Sequence, residues 1–273
     1  MIRKDFTATV IAAYGGSMAS TNIQGRSAAT AVIVRDMADG PPHILMMERA
    51  GTMAFAAGAL VFPGGAVDQA DRDLADAMPG TQPLEEAAAR IAAIRETLEE
   101  SGLAIGFPAP LGPEQAREMR HALLRGESLS AILQSHGLDL ALDHLVPFSR
   151  WHPAGAETPR RVYDTRFYLT RAPEGQEASV DATENVRLFW KSAQDTIHLC
   201  DAGGGRIIFP TRRNLERLAL FDSFEAMAAH AASFSVEKIC PWVEERDGER
   251  HLCIPDHLGY PITSEPMGRV QRG

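Results

Sequence analysis

Arg95-Glu96-Thr97-Leu98-Glu99-Glu100-Ser101-Gly102-Leu103 is the most informative stretch of this 273-residue chain. At about 100° per residue, Glu99 and Glu100 fall within about 60° of Glu96, one on each side. The pattern predicts a helix from about Pro83 to Ser101, on which the three carboxylates share one sector. Ala87, Ile91, Ile94 and Leu98 occupy the opposite sector. The helix is therefore expected to pack on a sheet and to aim an acidic face outward. Gly102 suits a left-handed cap, with Leu103 folding back on Leu98. The acidic end is locally unfavourable. Carboxylates in a last turn oppose the helix dipole, at about 0.3–1 kcal/mol each, and Glu96 and Glu100 repel at i,i+4 by about 0.2–0.5 kcal/mol. A hard divalent cation removes both penalties, because Mg²⁺ binds through one or two carboxylates plus substrate phosphates. Taken alone, three glutamates also describe a solvated acidic face.

Their company lies upstream. Leu60-Val61-Phe62 reads as a short strand stopped by Pro63-Gly64-Gly65. A double glycine after a buried strand lets a ligand approach the main chain closely. Together, F-P-G-G and R-E-x-x-E-E-x-G-L resemble the signature of the Nudix hydrolases, G-x5-E-x7-R-E-U-x-E-E-x-G-U with U aliphatic. The second half matches from Arg95 to Leu103, with Thr97 at an aliphatic position. The resemblance implies an α/β (α+β) fold: a mixed β-sheet sandwiched by helices, with the signature forming loop–helix–loop. It also implies metal-dependent hydrolysis of a nucleoside diphosphate linked to another group. By matching positions, Glu96, Glu99 and Glu100 are expected to bind Mg²⁺ or Mn²⁺, and Arg95 to orient them. The Gly65 carbonyl is expected to reach a metal, and Gly64 and Gly65 to line the substrate site.

Two departures qualify the match. Gly65 and Arg95 stand 30 residues apart where the family pattern has 14, so an insertion of about 16 residues splits the box, assigned to the acidic stretch 68–82 read as a loop. Counted back from Arg95, the family's early glutamate falls on Ala87, with Glu85 and Glu86 out of register. The acidic partner of Arg95 is thus unidentified.

A split box resembles the Nudix branch that includes the peroxisomal coenzyme A diphosphatase and bacterial relatives. A sister group carries the coenzyme A signature L-L-T-x-R-S-x3-R-x3-G-x3-F-P-G-G-x2-D. Arg49, Gly58, the FPGG turn and Asp68 keep its spacing, while Met47, Ala50 and Ala54 replace its Thr, Ser and second Arg. Arg49 and Arg166 are candidate contacts for a substrate phosphate, Arg166 also reading as one half of a structural ion pair. Glu184, before Val186, is a candidate general base, since these enzymes often recruit one from a late loop. The reading is a diphosphatase acting on coenzyme A or its acyl esters. The alternatives are ADP-ribose, nucleotide sugars or dinucleotides as substrate, or a non-catalytic nucleotide-sensing module.

Composition agrees with a folded enzyme. Hydrophobic residues make up 45% and charged residues 23%, and the net charge of −9 argues against nucleic acid as a partner. No run approaches the roughly 18 apolar residues of a membrane span. The three cysteines are an odd, widely spaced set, which points to a reducing compartment and the cytoplasm. Cys240, His251, Cys253 and His257 give an H-x5-H spacing but no close cysteine pair. Residues 1–27 read as an arm and Met18 as an alternative start. One domain is expected over 28–273, with a helical insert at about 104–142 and an irregular, proline-bearing tail from 241. Strands are expected at 31–34, 44–47, 145–151, 162–170 and 186–190. Helices are expected at 113–125, 127–136, from the N-cap Thr211 to Leu220, and at 224–232. Gly203-Gly204-Gly205 reads as a turn, and a homodimer is a possible assembly.

Overall fold

Small and β-branched apolar residues fill Arg26–Arg35, and this segment is the central strand β1. Successive side chains of a strand point to opposite faces. Ala29, Ala31 and Ile33 accordingly enter one core, and Val32 and Val34 enter another. A computed structural model describes residues 25–49, 58–78, 80, 82–152, 162–180 and 185–270.

β1 is followed by β2 (His43–Arg49), β3 (Leu60–Val61) and β4 (Gly64–Ala66), then by helices α1 (Gln69–Ala77) and α2 (Leu84–Ser101). Two further helices, α3 (Pro113–Leu124) and α4 (Leu129–His136), precede β5 (Val146–Trp151), β6 (Tyr163–Arg171) and β7 (Asn185–Ser192). Next come α5 (Ala193–Asp201), α6 (Phe209–Leu218) and α7 (Phe224–Ala232), and after them β8 (Lys238–Ile239). The chain closes with β9 (Trp242–Arg246), β10 (Glu249–Cys253), β11 (Ser264–Pro266) and α8 (Met267–Val270).

The main sheet runs β3-β2-β1-β6-β5-β8, with β4 also paired to β1 and β7 to β2. β1 and β6 are parallel, as are β5 and β8, and the other pairs are antiparallel. The sheet is therefore mixed, with a helix layer on each face. Helices α1–α4 cover the Ala29–Ile33 side, where Ala88, Ala92, Ile91, Ile94 and Leu98 are fully buried. Helices α5–α7 and β10 cover the other side, against Phe148, Trp151 and Leu169. Burying each large aliphatic side chain of α2 contributes about 1.5–3 kcal/mol. That burial outweighs the roughly 1–3.5 kcal/mol lost at the helix's acidic end.

β1 changes partner along its length. Val34 faces Ile44 of β2, whereas Thr30 faces Gly64 of β4. Where β2 leaves β1 it pairs with β3 instead, so the β3–β4 segment with its two glycines fills the space between β2 and β1, and Arg49 is the last residue of β2 at that end.

Several expectations are corrected. β1 begins at Arg26, so two residues assigned to the arm belong to the sheet; residues 1–24, with Met18, lie outside the described residues. Pro63-Gly64-Gly65 does not simply stop a strand, since Gly64–Ala66 pairs with β1. Within the stretch 68–82, residues 69–77 are helix α1 rather than loop. α6 starts at Phe209, capped at Ile208 with Pro210 in its first turn, rather than at Thr211. α5 was not anticipated. Nor is the tail irregular: β9, β10 and β11 form an antiparallel sheet. Its Asp247-Gly248 turn has φ of 51° and 79°, the two positive values of a tight hairpin turn. No helix among the described residues is long and apolar enough to cross a membrane.

Candidate active site

The acidic end of α2 lies against the glycine turn. Gly64 has φ of 156°, and a Cβ there would strike the Ala29 carbonyl across the strand pair. A Cβ on Gly65 would strike the Glu96 carboxylate. Gly64 lets the main chain lie close against β1, and Gly65 lets it lie close against the helix. The Gly64 N–H donates to Glu100 Oε2 at 2.8 Å, tying turn and helix together.

Arg95 organises the rest. Its Nε and Nη2 donate to Asp71 Oδ1 and Oδ2 at 2.9 and 3.0 Å, a two-point pair with a carboxylate that is 2% exposed. Nη1 donates to Glu96 Oε1 at 2.9 Å and to Glu99 Oε1 at 3.4 Å, and Nη2 also donates to the Ala66 carbonyl at 3.1 Å. One guanidinium thus joins α1, β4 and two of the three glutamates.

Asp71 is the acidic partner that sequence reasoning missed. Counted forward from Gly65, the family's G-x5-E places its early acid on residue 71, so the signal was present. The insertion falls after this acid, between residues 71 and 95, and not before it. Asp71 is fixed in turn by α1, where its Oδ2 accepts the Asp68 N–H at 2.8 Å in a capping box.

The acidic face does not look out to solvent as expected. Glu100 is buried, and the Glu96 and Glu99 side chains are 17% and 28% exposed. Burial pushes the Glu96 carboxyl up to about 7, against the pull of Arg95 and with help from neighbouring Glu99. Burial also raises Glu99, again opposed by Arg95. Burial works against the Arg95 charge, but Asp71, Glu96 and Glu99 outweigh it and hold its pKa above the ordinary value. One cation therefore does not neutralise this carboxylate group.

The substrate candidates are dispersed. Arg49 is half-buried, with an Nε that finds no hydrogen-bond partner among the described residues. It pairs across the sheet with Asn185, the neighbour of Glu184. Glu184 and Ala54 lie outside the described residues. Arg166 shares a sheet row with Ala29 and Gly65. Its guanidinium is taken by Glu86 at 3.2 Å and by the Ser27 hydroxyl at 3.2 Å. Glu86 lies ten residues before Glu96, about 15 Å along the helix axis. Arg166 therefore serves a structural pair on the far half of α2. Asp68 caps α1 and pairs with Arg26 at 3.0 Å.

Among the described residues, no three His, Cys, Asp or Glu side chains are gathered as a ready metal cage. The donors present are nonetheless the kind a hard cation takes. They are oxygen only, partly desolvated and under-neutralised, and Mg²⁺ keeps several waters instead of demanding a full protein cage.

No family model matches the chain. It is 25% identical over 224 residues to a Caenorhabditis elegans protein assigned by name to the nudix hydrolases, across 80% of this chain and 70% of that one. The crystal structure of a NUDIX hydrolase from Alicyclobacillus acidocaldarius matches with a TM-score of 0.66 at 28% identity, over 77% of this chain and 97% of that one. A MutT NUDIX hydrolase from Burkholderia pseudomallei gives a TM-score of 0.40 at 22% identity, over 71% and 98% of the two chains, too low to weigh. On the same mixed-sheet fold, a likeness spanning nearly the whole of a solved enzyme makes this chain a hydrolase. That solved enzyme and the Caenorhabditis elegans relative both carry the nudix hydrolase name.

Proposed function

We propose that the chain is a divalent-cation-dependent diphosphatase acting on a nucleoside-diphosphate derivative, with coenzyme A or an acyl-coenzyme A as substrate. The observation that carries this reading is the seating of the Gly64–Gly65 turn on Glu96 and Glu100 while Asp71 engages Arg95. Glu96, Glu99 and Glu100, with the Gly65 carbonyl, would hold Mg²⁺ or Mn²⁺. When bound, such a cation offsets charge on the diphosphate and makes water a competent nucleophile near neutral pH. The chain's own residues do the positioning. Arg95 fixes the Glu96 and Glu99 carboxylates from one side, and Asp71 holds Arg95 so that it cannot swing onto the substrate. Gly64 and Gly65 present main chain where a side chain would block the approach. Arg49, at the end of β2 and with a buried Nε that has no hydrogen-bond partner among the described residues, supplies a cation for a substrate phosphate. Glu184, next to the residue that faces Arg49, is the base assigned to take the proton from water.

Support for coenzyme A rests on Arg49 and the retained spacing of its motif. Asp68 adds little, since it caps α1 and its carboxylate lies against Arg26 and Arg95. The engagement of Arg166 by Glu86 and the alanine at 54 favour a second reading, in which ADP-ribose or a nucleotide sugar is cleaved. Incubating the protein and Mg²⁺ with a panel of diphosphates, with products read by mass spectrometry, separates the two. Coenzyme A hydrolysis yields 3′,5′-ADP and phosphopantetheine. In that case Arg49→Ala should weaken coenzyme A more than dephospho-coenzyme A, which lacks the 3′-phosphate. Far faster cleavage of ADP-ribose by the parent enzyme rejects the coenzyme A reading, and no metal-dependent turnover on any diphosphate leaves the nucleotide-sensing module.

A further inference from the structure

The last carbonyls of a helix have no partners within it. In α2 the carbonyls at this end include those of Glu99 and Glu100, and each finds a donor. The Thr97 carbonyl accepts from the Ser101 hydroxyl at 2.6 Å, and the Leu98 carbonyl from the Gly102 N–H at 3.0 Å. The Ser101 carbonyl accepts from the Ser179 N–H at 2.9 Å. The Glu99 and Glu100 carbonyls are both taken by Arg120, through Nε at 2.9 Å and Nη2 at 3.2 Å.

Arg120 comes from α3, in the segment inserted after α2, and is 8% exposed. It is also fixed from the other side. Nη1 donates to the Ser179 hydroxyl at 2.8 Å and Nη2 to the Ser179 carbonyl at 3.0 Å. Gly102 makes room for this arrangement, since a Cβ there would crowd Arg120 Nη1 at 3.1 Å. A fixed cation is thus buried at the negative end of the α2 dipole, beside a cluster of like charges. It grips two glutamates by their main chain, whereas Arg95 grips Glu96 and Glu99 by their carboxylates.

We infer that Arg120 is a positioning residue for the reaction: it sets the main-chain height and rotation of Glu99 and Glu100, and couples the inserted helices to the cation-binding end of α2. The inference rests on the reading of Glu96, Glu99 and Glu100 as cation-binding carboxylates. A guanidinium fork can serve two adjacent carbonyls and Ser179 at once. A lysine keeps the charge but not the fork.

The test compares wild type, Arg120→Met and Arg120→Lys by three readouts. These are Mn²⁺ affinity of the metal-free protein from electron paramagnetic resonance, kcat and KM on the best diphosphate of the panel, and thermal unfolding. Groups that orient ligand residues typically change affinity or activity by about 10–100-fold. Arg120→Met is expected to lose about tenfold or more in both Mn²⁺ affinity and kcat, with KM nearly unchanged, and Arg120→Lys is expected to recover only part of the loss. A folded Arg120→Met within twofold of wild type in Mn²⁺ affinity and kcat overturns the inference alone. So does Arg120→Lys indistinguishable from wild type, which decides the matter if Arg120→Met does not fold. A wild-type protein that binds no Mn²⁺ overturns the underlying reading and this inference with it.

Discussion

Glu99 is the side chain on which the cation assignment can be tested most cleanly. It is the most exposed of the three glutamates, and its only hydrogen bond from Arg95 is long, at 3.4 Å. Glu99→Gln removes one charge from an under-neutralised group while keeping its shape. Turnover should fall by about 100-fold, in line with the loss of a group needed only for the reaction. Thermal unfolding without metal should occur at the same temperature or slightly higher, because burial already disfavours the charged form. Wild-type turnover in this variant contradicts the assignment. Gly65→Ala probes the same place from the other side. Its Cβ must displace the Glu96 carboxylate, so Mn²⁺ affinity should drop by at least about tenfold, a loss that titration calorimetry would register. The sequence named Arg95, Glu96, Glu99, Glu100 and the two glycines, because a fixed-spacing motif states which residue types must meet. It did not yield Asp71, because the count was taken back from Arg95, across the insertion. Counting forward from Gly65 crosses no insertion.

At the scale of elements, the contrast between α1 and α2 shows which signals are legible. α2 has a long, periodic apolar face and a glycine at its end, with φ of 75° at the cap. α1 is nine residues of mostly polar sequence, with Asp71 and Ala75 buried and Leu74 packed against the core, so its apolar face is short and sits in an acidic stretch that reads as a loop. Besides Leu74 and Ala75 on the core and Arg72 on Glu85 of α2, it is held by a capping box and the Asp71–Arg95 pair, an interaction across 24 residues that no local window contains. The tail was misread for another reason. Its prolines were taken as a sign of irregular chain, whereas the Asp247-Gly248 pair between short strands is a hairpin signal. Because Asp71 and Arg95 form a buried ion pair, Asp71→Asn should destabilise the protein by about 3 kcal/mol, the range for removing one partner of such a pair. Urea denaturation measures this. A change below about 0.5 kcal/mol would mean that α1 is held by packing instead.

For the molecule as a whole, a second charged knot fastens the far edge of the main sheet. Asp164 on β6 accepts from Arg150 of β5 at 2.7 Å through each oxygen, and Lys238 of β8 lies at 2.9 Å. Burial works against this carboxylate, but the two cations win and hold it down to about 2. Its contribution to stability is therefore complete above its ordinary value near 3.8 and is lost as pH falls through about 2. Asp164→Asn should be less stable than wild type at neutral pH, and the gap should close between about pH 4 and pH 2. Urea midpoints taken across that range would refute the assignment if the gap stayed constant. The mixed sheet between helix layers was legible from the motif and from the order of strands and helices. The partner exchange of β1 from β2 to β4 was not, because no single strand's sequence records which neighbour it will choose.

The pairing of Asp71 with Arg95 also bears on how such a box can tolerate growth. The contact closes the ring of 23 residues from 72 to 94, where the family spacing would close one of seven. For a flexible segment the entropic cost of closure rises only with the logarithm of its length, so the longer ring costs about 1 kcal/mol more. A single buried two-point ion pair is strong enough to absorb that difference. Between these two residues, then, segment length is close to a free variable for evolution, provided both ends of the ring keep their grip.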